Sequence, residues 1–239
     1  MISMNNKICF ATGNLWSTPH EQEGELLKTV RKLKGIDGVE LTLMTSEDVT
    51  SFSASKADER WMKGCRMTMH APCGFVAGPE LLDLLSSLYK RLNCEAIVFH
   101  PLDAPAPDVL QSYDFYPIAE NLPMKYGFTI NDLNSFFRRY AACEFGFCLD
   151  TAHAHNRGAR EAEALLREFG DRLTQLHFSG HAAVDHVRIG DSLLSFLDDI
   201  GAVFSVGVPV VIEEGAFGAD APLGDVQAEI DYIRGLWHN

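Results

Sequence analysis

Eight short apolar runs of β-strand type alternate along the chain with longer stretches of helical periodicity, and this alternation restricts the fold more than any other feature. The strand candidates are 8–12, 38–43, 66–70, 96–100, 117–120, 145–150, 173–178 and 208–213. Helical patterns lie at 21–33, 79–92, 131–143, 160–169, 192–206 and 225–237, with two shorter crossovers at 46–63 and 104–113. Apolar strands with little polar alternation imply burial on both faces, and each intervening helix implies a right-handed crossover to a parallel neighbour. Eight such units in 239 residues predict a single-domain (β/α)8 TIM barrel over 1–239, a fold that typically takes about 250 residues. The alternative is an open doubly wound sheet. Its first strand would be followed by a glycine-rich phosphate loop, but Ala11-Thr12-Gly13-Asn14-Leu15 matches neither a dinucleotide fingerprint nor a P-loop.

Composition narrows the partners. The chain is 46% hydrophobic and 22% charged, as expected of a globular protein with a large core. No apolar run approaches the roughly 20 residues that span a bilayer, and residues 1–7 lack a signal-peptide layout, so a cytoplasmic location is expected. A formal net charge of −13 disfavours nucleic acid as a partner, because general nucleic-acid binders carry a basic face. Metal ions held among carboxylates would offset part of that charge. The six cysteines form no CxxC pair and are expected to be reduced, mostly buried thiols. Cys73, just after His70-Ala71-Pro72, is the one placed to approach a site.

Six of the eight strand candidates end on a residue able to bind a metal ion. The third ends at His70, the fourth at His100, the fifth at Glu120 and the sixth at Asp150, which runs on to His153. The seventh carries His177, with Asp185-His186 in the following loop, and the eighth ends at Glu213-Glu214. In a TIM barrel these ends open into one mouth, so residues distant in sequence become neighbours. One such residue alone is more often a cap or a turn residue, whereas six together point to a metal centre. Imidazole and carboxylate donors suit zinc, manganese or another divalent metal. His20 and His238 are expected to face solvent, and His155 and His181 to stand behind the ligands. For Glu40 two readings stay open, a place in the barrel mouth or a pairing with a lysine.

The segments Phe99-His100-Pro101, Ala119-Glu120-Asn121, Asp150-Thr151-Ala152-His153-Ala154 and His186-Val187-Arg188-Ile189-Gly190 resemble the endonuclease IV branch (AP endonuclease family 2) of the xylose-isomerase-like TIM barrels. The resemblance implies up to three zinc ions. His70, His100 and Glu120 would hold one; Glu120 would bridge to a second held by Asp150, His177 and Glu213; His153 and His186 would hold a third. The chain departs from that pattern in three places. Val184 occupies the position of an expected Asp, Phe178-Ser179-Gly180 replaces an Asn-Asp pair, and Cys73 stands where an aromatic residue is common. A full third site would need the loop to shift Asp185 inward. The sugar isomerases and epimerases of the same fold use only the positions matching Glu120, Asp150, His177 and Glu213, with the two glutamates moving a proton.

The expected activity is therefore that of a multi-zinc hydrolase of phosphoester bonds, with Glu120 and Glu213 as catalytic residues and a small phosphorylated compound as substrate in preference to DNA. Arg188 and Lys125 are candidates for phosphate contact. The alternatives are a single-metal isomerase or epimerase acting on a sugar, and a non-catalytic barrel that binds a metal or small ligand.

Overall fold

The computed structural model describes residues 6–15, 23–215, 217 and 222–238. Its principal strands are β1 (Ile8–Ala11), β2 (Gly38–Thr42), β3 (Arg66–His70), β4 (Ala96–Phe99), β5 (Pro117–Glu120), β6 (Gly146–Asp150), β7 (Leu173–Phe178) and β10 (Val210–Ile212). These eight run parallel and close into a barrel in the order β1-β10-β7-β6-β5-β4-β3-β2. Each coincides with an expected apolar run to within two residues at either end. A small antiparallel ribbon, β8 (Gly180–His181) with β9 (Asp185–Val187), projects from the end of β7. His20 lies outside the described residues, as does the side chain of His238.

The helices are α1 (Glu23–Val30), α2 (Ser46–Ser51), α3 (Lys56–Met62), α4 (Pro79–Leu92), α5 (Pro107–Leu110), α6 (Ile130–Arg139), α7 (Thr151–Arg157), α8 (Glu161–Phe169), α9 (Phe196–Asp199) and α10 (Leu223–His238). In α4, Pro79 sits in the first turn and Asn93 closes the helix in a left-handed conformation at φ 55°. Its face of Leu81, Leu82, Leu85, Leu88 and Leu92 is buried against the barrel, each side chain contributing about 2 kcal/mol. Thr129 starts α6 with a reciprocal capping box to Asp132.

Two helical expectations are corrected. The stretch 192–206 is not one helix but α9 followed by a 3-10 turn, Gly201–Ser205. Residues before α9 are occupied in closing the ribbon, where the Leu193 N–H donates to His181 O at 3.0 Å. Conversely, α7 follows β6 directly although Thr151-Ala152-His153-Ala154-His155 carries no apolar period. A cap starts it instead: Asp150 Oδ1 accepts the His153 N–H at 2.6 Å.

The main hydrophobic core lies between the strands and the helices. Among the described residues, the apolar side chains inside the barrel form two small groups, Ala96, Val98, Ile118 and Cys148, and Cys9, Ala11 and Val211. The rest of the interior is polar. Strands β2 and β7 are not neighbours, so the hydrogen bond from Gln175 Nε2 to Glu40 Oε2 (2.9 Å) crosses the barrel. Glu40 Oε2 also accepts from Thr68 Oγ1 at 2.8 Å, and Gln175 Oε1 accepts from Arg66 at 3.2 Å. Gly38 permits this crowding, since a Cβ there would lie 2.5 Å from Arg66 O and 2.7 Å from Cys9 Sγ.

Candidate metal centre

The barrel mouth gathers the eight histidine, aspartate and glutamate side chains that the family resemblance assigned to metal ions, in three overlapping groups, with Asp185 and Glu214 outside them. His70, His100 and Glu120 form one; Glu120, Asp150, His177 and Glu213 form the second; Asp150, His153 and His186 form the third. Glu120 belongs to the first and second, and Asp150 to the second and third. The resemblance anticipated this division except for the second role of Asp150.

Backbone hydrogen bonds select which nitrogen of His70, His153 and His186 faces inward, and a carboxylate stands at the far nitrogen of His100 and His177. His70 Nδ1 donates to Ala71 O at 2.8 Å, leaving Nε2 toward Glu120 Oε2 at 3.2 Å. His100 presents Nε2 to the same oxygen at 3.6 Å, while Asp103 stands 3.7 Å from its Nδ1. His153 Nδ1 donates to Asn121 O at 2.9 Å, and His186 Nδ1 donates to Glu213 O at 3.0 Å. His177 is reversed. Its Nδ1 faces Glu213 Oε2 at 2.6 Å and Glu120 Oε2 at 3.6 Å, and its Nε2 lies 3.1 Å from Glu40 Oε1. A histidine ligand is ordinarily oriented by a carboxylate or carbonyl on its far nitrogen, and Glu40 stands in that place. Glu40 is thus a buried partner of the candidate centre, and among the described residues it pairs with Thr68, Gln175 and His177 and not with a lysine. A carboxylate in mid-strand, in step with Thr42 and the interior face, was the available signal.

The donor set fits a divalent cation. Asp150 Oδ2 is a buried polar atom without a hydrogen-bond partner, and His177 Nδ1 and Glu213 Oε2, buried in the same second group, have each other at 2.6 Å. Leaving such atoms unpaired is costly unless a cation satisfies them. Without an ion, the charges balance one another. Burial would raise the Glu120 carboxyl, but His177, His100 and His153 hold it well below the usual range. Glu213 is similarly lowered to about 2, chiefly by His177 against its burial. Burial would lower the histidines, yet Glu120 lifts His70 to about 9, and Asp150 with Glu120 lifts His153 to about 10. Asp150 itself is raised by burial.

The ribbon that carries His186 is tied down from behind. His186 adopts φ 60°, a left-handed conformation that costs a non-glycine residue about 1–3 kcal/mol and persists only where its surroundings hold it. The Gly215 N–H donates to His186 O at 2.9 Å, and the Ile189 N–H is shared by Glu214 Oε1 (3.2 Å) and Glu229 Oε1 (3.0 Å). Arg188 donates to Glu229 Oε2 at 3.3 Å and lies over the Phe217 ring. Burial and the neighbouring Glu229 push the Glu214 carboxyl up to about 9. Arg188 is therefore committed to α10, away from the cavity. Asp185 does not move inward either; its Oδ1 lies 3.5 Å from His181 Nε2.

The ligand groups open into a cavity of about 200 Å³, walled further by Met44, Cys73, Pro123, Lys125 and Tyr126. Cys73 thus does approach the site, with its thiol raised by burial and by Asp103. Among the described residues, no helix is long and apolar enough to cross a membrane.

No protein-family model and no curated protein sequence matches the chain. Solved structures do. The probable 3-DHS dehydratase AsbF of Bacillus anthracis superposes with a TM-score of 0.68 at 11% identity, over 95% of this chain and 98% of its own. The 3-keto-D-glucoside 4-epimerase YcjR of E. coli gives 0.64 at 15%, over 96% and 99%. Endonuclease IV of Thermus thermophilus gives 0.57 at 17%, over 97% and 98%. These neighbours are xylose-isomerase-like TIM barrels, so the fold expected from the sequence resemblance is the fold observed.

Proposed function

We propose that the protein is a metal-dependent hydrolase of phosphoester bonds in small molecules, using more than one divalent ion. The observation that carries this reading is the position of Glu120. Its Oε2 faces His70 and His100 of the first group at 3.2 and 3.6 Å and His177 of the second at 3.6 Å. A carboxylate shared by two ligand groups is the arrangement expected of a bridge between ions, and a single-ion site has no use for His70 and His100. Zinc or another divalent ion bound there supplies Lewis acidity and a water of lowered pKa. His70, His100, Glu120, Asp150, His153, His177, His186 and Glu213 would hold the ions. Glu120 and Glu213 would also steer the attacking water, and Lys125 would bind phosphate oxygens at the wall.

A second reading has its own support. The unpartnered Asp150 Oδ2 belongs to the quartet Glu120, Asp150, His177 and Glu213, which by itself would serve a one-ion isomerase or epimerase, and one structural neighbour is a 4-epimerase. In that case Glu120 and Glu213 would move a proton at a substrate carbon. Metal analysis of the purified protein separates the two. Two or three ions per chain, reduced by His70→Ala, together with turnover of phosphomonoesters, support hydrolysis. One ion indifferent to His70→Ala, with turnover of ketoses, supports isomerisation. Metal binding without turnover of phosphoesters, abasic-site DNA or ketoses would leave a ligand-binding barrel.

A further inference from the structure

We infer that the substrate is a compact phosphomonoester whose remainder is apolar or aromatic, not a sugar phosphate, with Lys125 meeting the phosphate and Tyr126 meeting the remainder. This rests on the hydrolytic reading above and adds to it the identity of what is hydrolysed.

The wall chemistry is the first observation. Beyond the ligand groups, the cavity is bounded by Met44, Pro123, a thiol, a phenol and one ammonium. A site that distinguishes polyols reads their hydroxyls with several placed amide, carboxylate or guanidinium groups. The nearby side chains of that kind are engaged elsewhere: Arg188 with Glu229, and Asn156 with His181 Nε2 and the Met124 N–H. One fixed positive charge suits one phosphate.

The second observation is how that charge is placed. Lys125 sits in a 3-10 turn, Met124–Tyr126, fastened to α7 by the Met124 N–H donating to Asn156 Oδ1 at 2.9 Å and closed by Gly127 N–H to Met124 O at 2.9 Å. Its ammonium lies 5.2 Å from the Tyr126 ring centroid, within cation–π range. Cation and aromatic ring are therefore presented together.

The third is the surface around the mouth. Of the twelve large hydrophobic side chains exposed among the described residues, eight lie in segments leaving the C-terminal ends of barrel strands: Phe75 and Val76 after β3, Leu102 after β4, Met124 and Tyr126 after β5, and Val184, Leu193 and Leu194 after β7. Tyr126 among them lines the cavity itself, and apolar side chains at and around a binding mouth favour an apolar ligand group. They also offer little to a hydroxylated ring.

In the reaction, the oxygen of water bonds to phosphorus and the ester P–O bond breaks with its electron pair on the ester oxygen. The products are inorganic phosphate and the free alcohol or phenol, and the protons of water are divided between them and solvent.

The test compares phenyl phosphate with glucose 6-phosphate and glycerol phosphate on the zinc-loaded full chain. We expect phenyl phosphate to be preferred in kcat/KM by about tenfold or more, and Tyr126→Ala to bring the substrates toward parity. Lys125→Ala should weaken competitive inhibition by inorganic phosphate about tenfold with metal content unchanged. Parity or a preference for the sugar phosphate in the unaltered protein would overturn the inference, as would phosphate inhibition indifferent to Lys125→Ala. Should no ester be hydrolysed, calorimetry on the same zinc-loaded protein decides. Phenyl phosphate binding more tightly than inorganic phosphate, through Tyr126, would sustain the ligand class while the hydrolytic reading falls. Equal binding would end both.

Discussion

The Nε2 atoms of His153 and His186 face each other at 3.0 Å while the opposite nitrogen of each ring donates to a backbone carbonyl. A carbonyl oxygen only accepts, so each Nδ1 carries a proton and each Nε2 points a lone pair at the other. Two lone pairs at that distance repel unless a cation lies between them. In the metal-free protein a proton can fill the gap, consistent with the His153 value near 10; a metal ion would replace it. Removing either ring should therefore remove one ion. His186→Ala is expected to lower the zinc content by one per chain, measured by mass spectrometry of the native protein, and to leave the ions at His70 and His177 in place. Unchanged zinc content would show that the pair holds only a proton.

Glu40 should matter to metal affinity although it faces no solvent. With its Oε2 saturated by Thr68 and Gln175, its Oε1 is left for His177 Nε2. Glu40→Gln keeps the shape and removes the charge that fixes the ring. Loss of such a partner typically weakens metal binding about 10- to 100-fold. Competition with a chromophoric chelator measures it, and an affinity equal to that of the unaltered protein would contradict the role.

The pH dependence has opposite signs for the protein with and without metal. His70 and His153 have folded values of about 9 and 10 against an ordinary 6.5. Their stabilising contribution is complete below 6.5 and is lost as pH rises through 9 and 10. Glu213, at about 2 against 4.5, contributes fully above 4.5 and loses its contribution as pH falls through 2. The metal-free Tm should therefore decline between pH 6.5 and 9, while metal affinity rises because the same nitrogens must release protons to bind. Thermal melts with zinc and with chelator should diverge with increasing pH. Parallel curves would mean that these histidines are not the ligands.

Glu229 on α10 should act on the metal centre through the ribbon. It accepts from the Ile189 N–H and from Arg188, three and two residues beyond the left-handed His186. Glu229→Ala is expected to cost about 1–3 kcal/mol of stability and to empty the His153–His186 position preferentially, with Glu229→Gln restoring part of both. Denaturant titration and zinc content together check it. A loss of stability with full zinc content would reduce Glu229 to a packing residue.

Much of this molecule follows from local pattern. Strands such as β1, β4, β6 and β10 were legible as apolar runs, whereas β2, β3 and β7 alternate because Glu40, Thr68 and Gln175 face the polar interior. The candidate ligands were legible because strand segments stop on His70, His100, Glu120 and Asp150. The same reasoning missed α7, which starts from the Asp150 cap and not from an apolar stripe, and overextended the helix at 192–206, where ribbon closure takes up the backbone.

What the sequence determined by itself was the alternation of elements and which residues end them, since both depend on neighbours a few positions away. Only the tertiary structure decided which ring nitrogen faces the mouth, that Glu40 lies beneath His177, that Asp185 turns to His181, and that Glu214 and Glu229 hold the ribbon. Proton positions and ligand choice depend on distances of about 3 Å between atoms of residues as far apart as Glu40 and Gln175, 135 positions along the chain, and chain closure alone brings such atoms together.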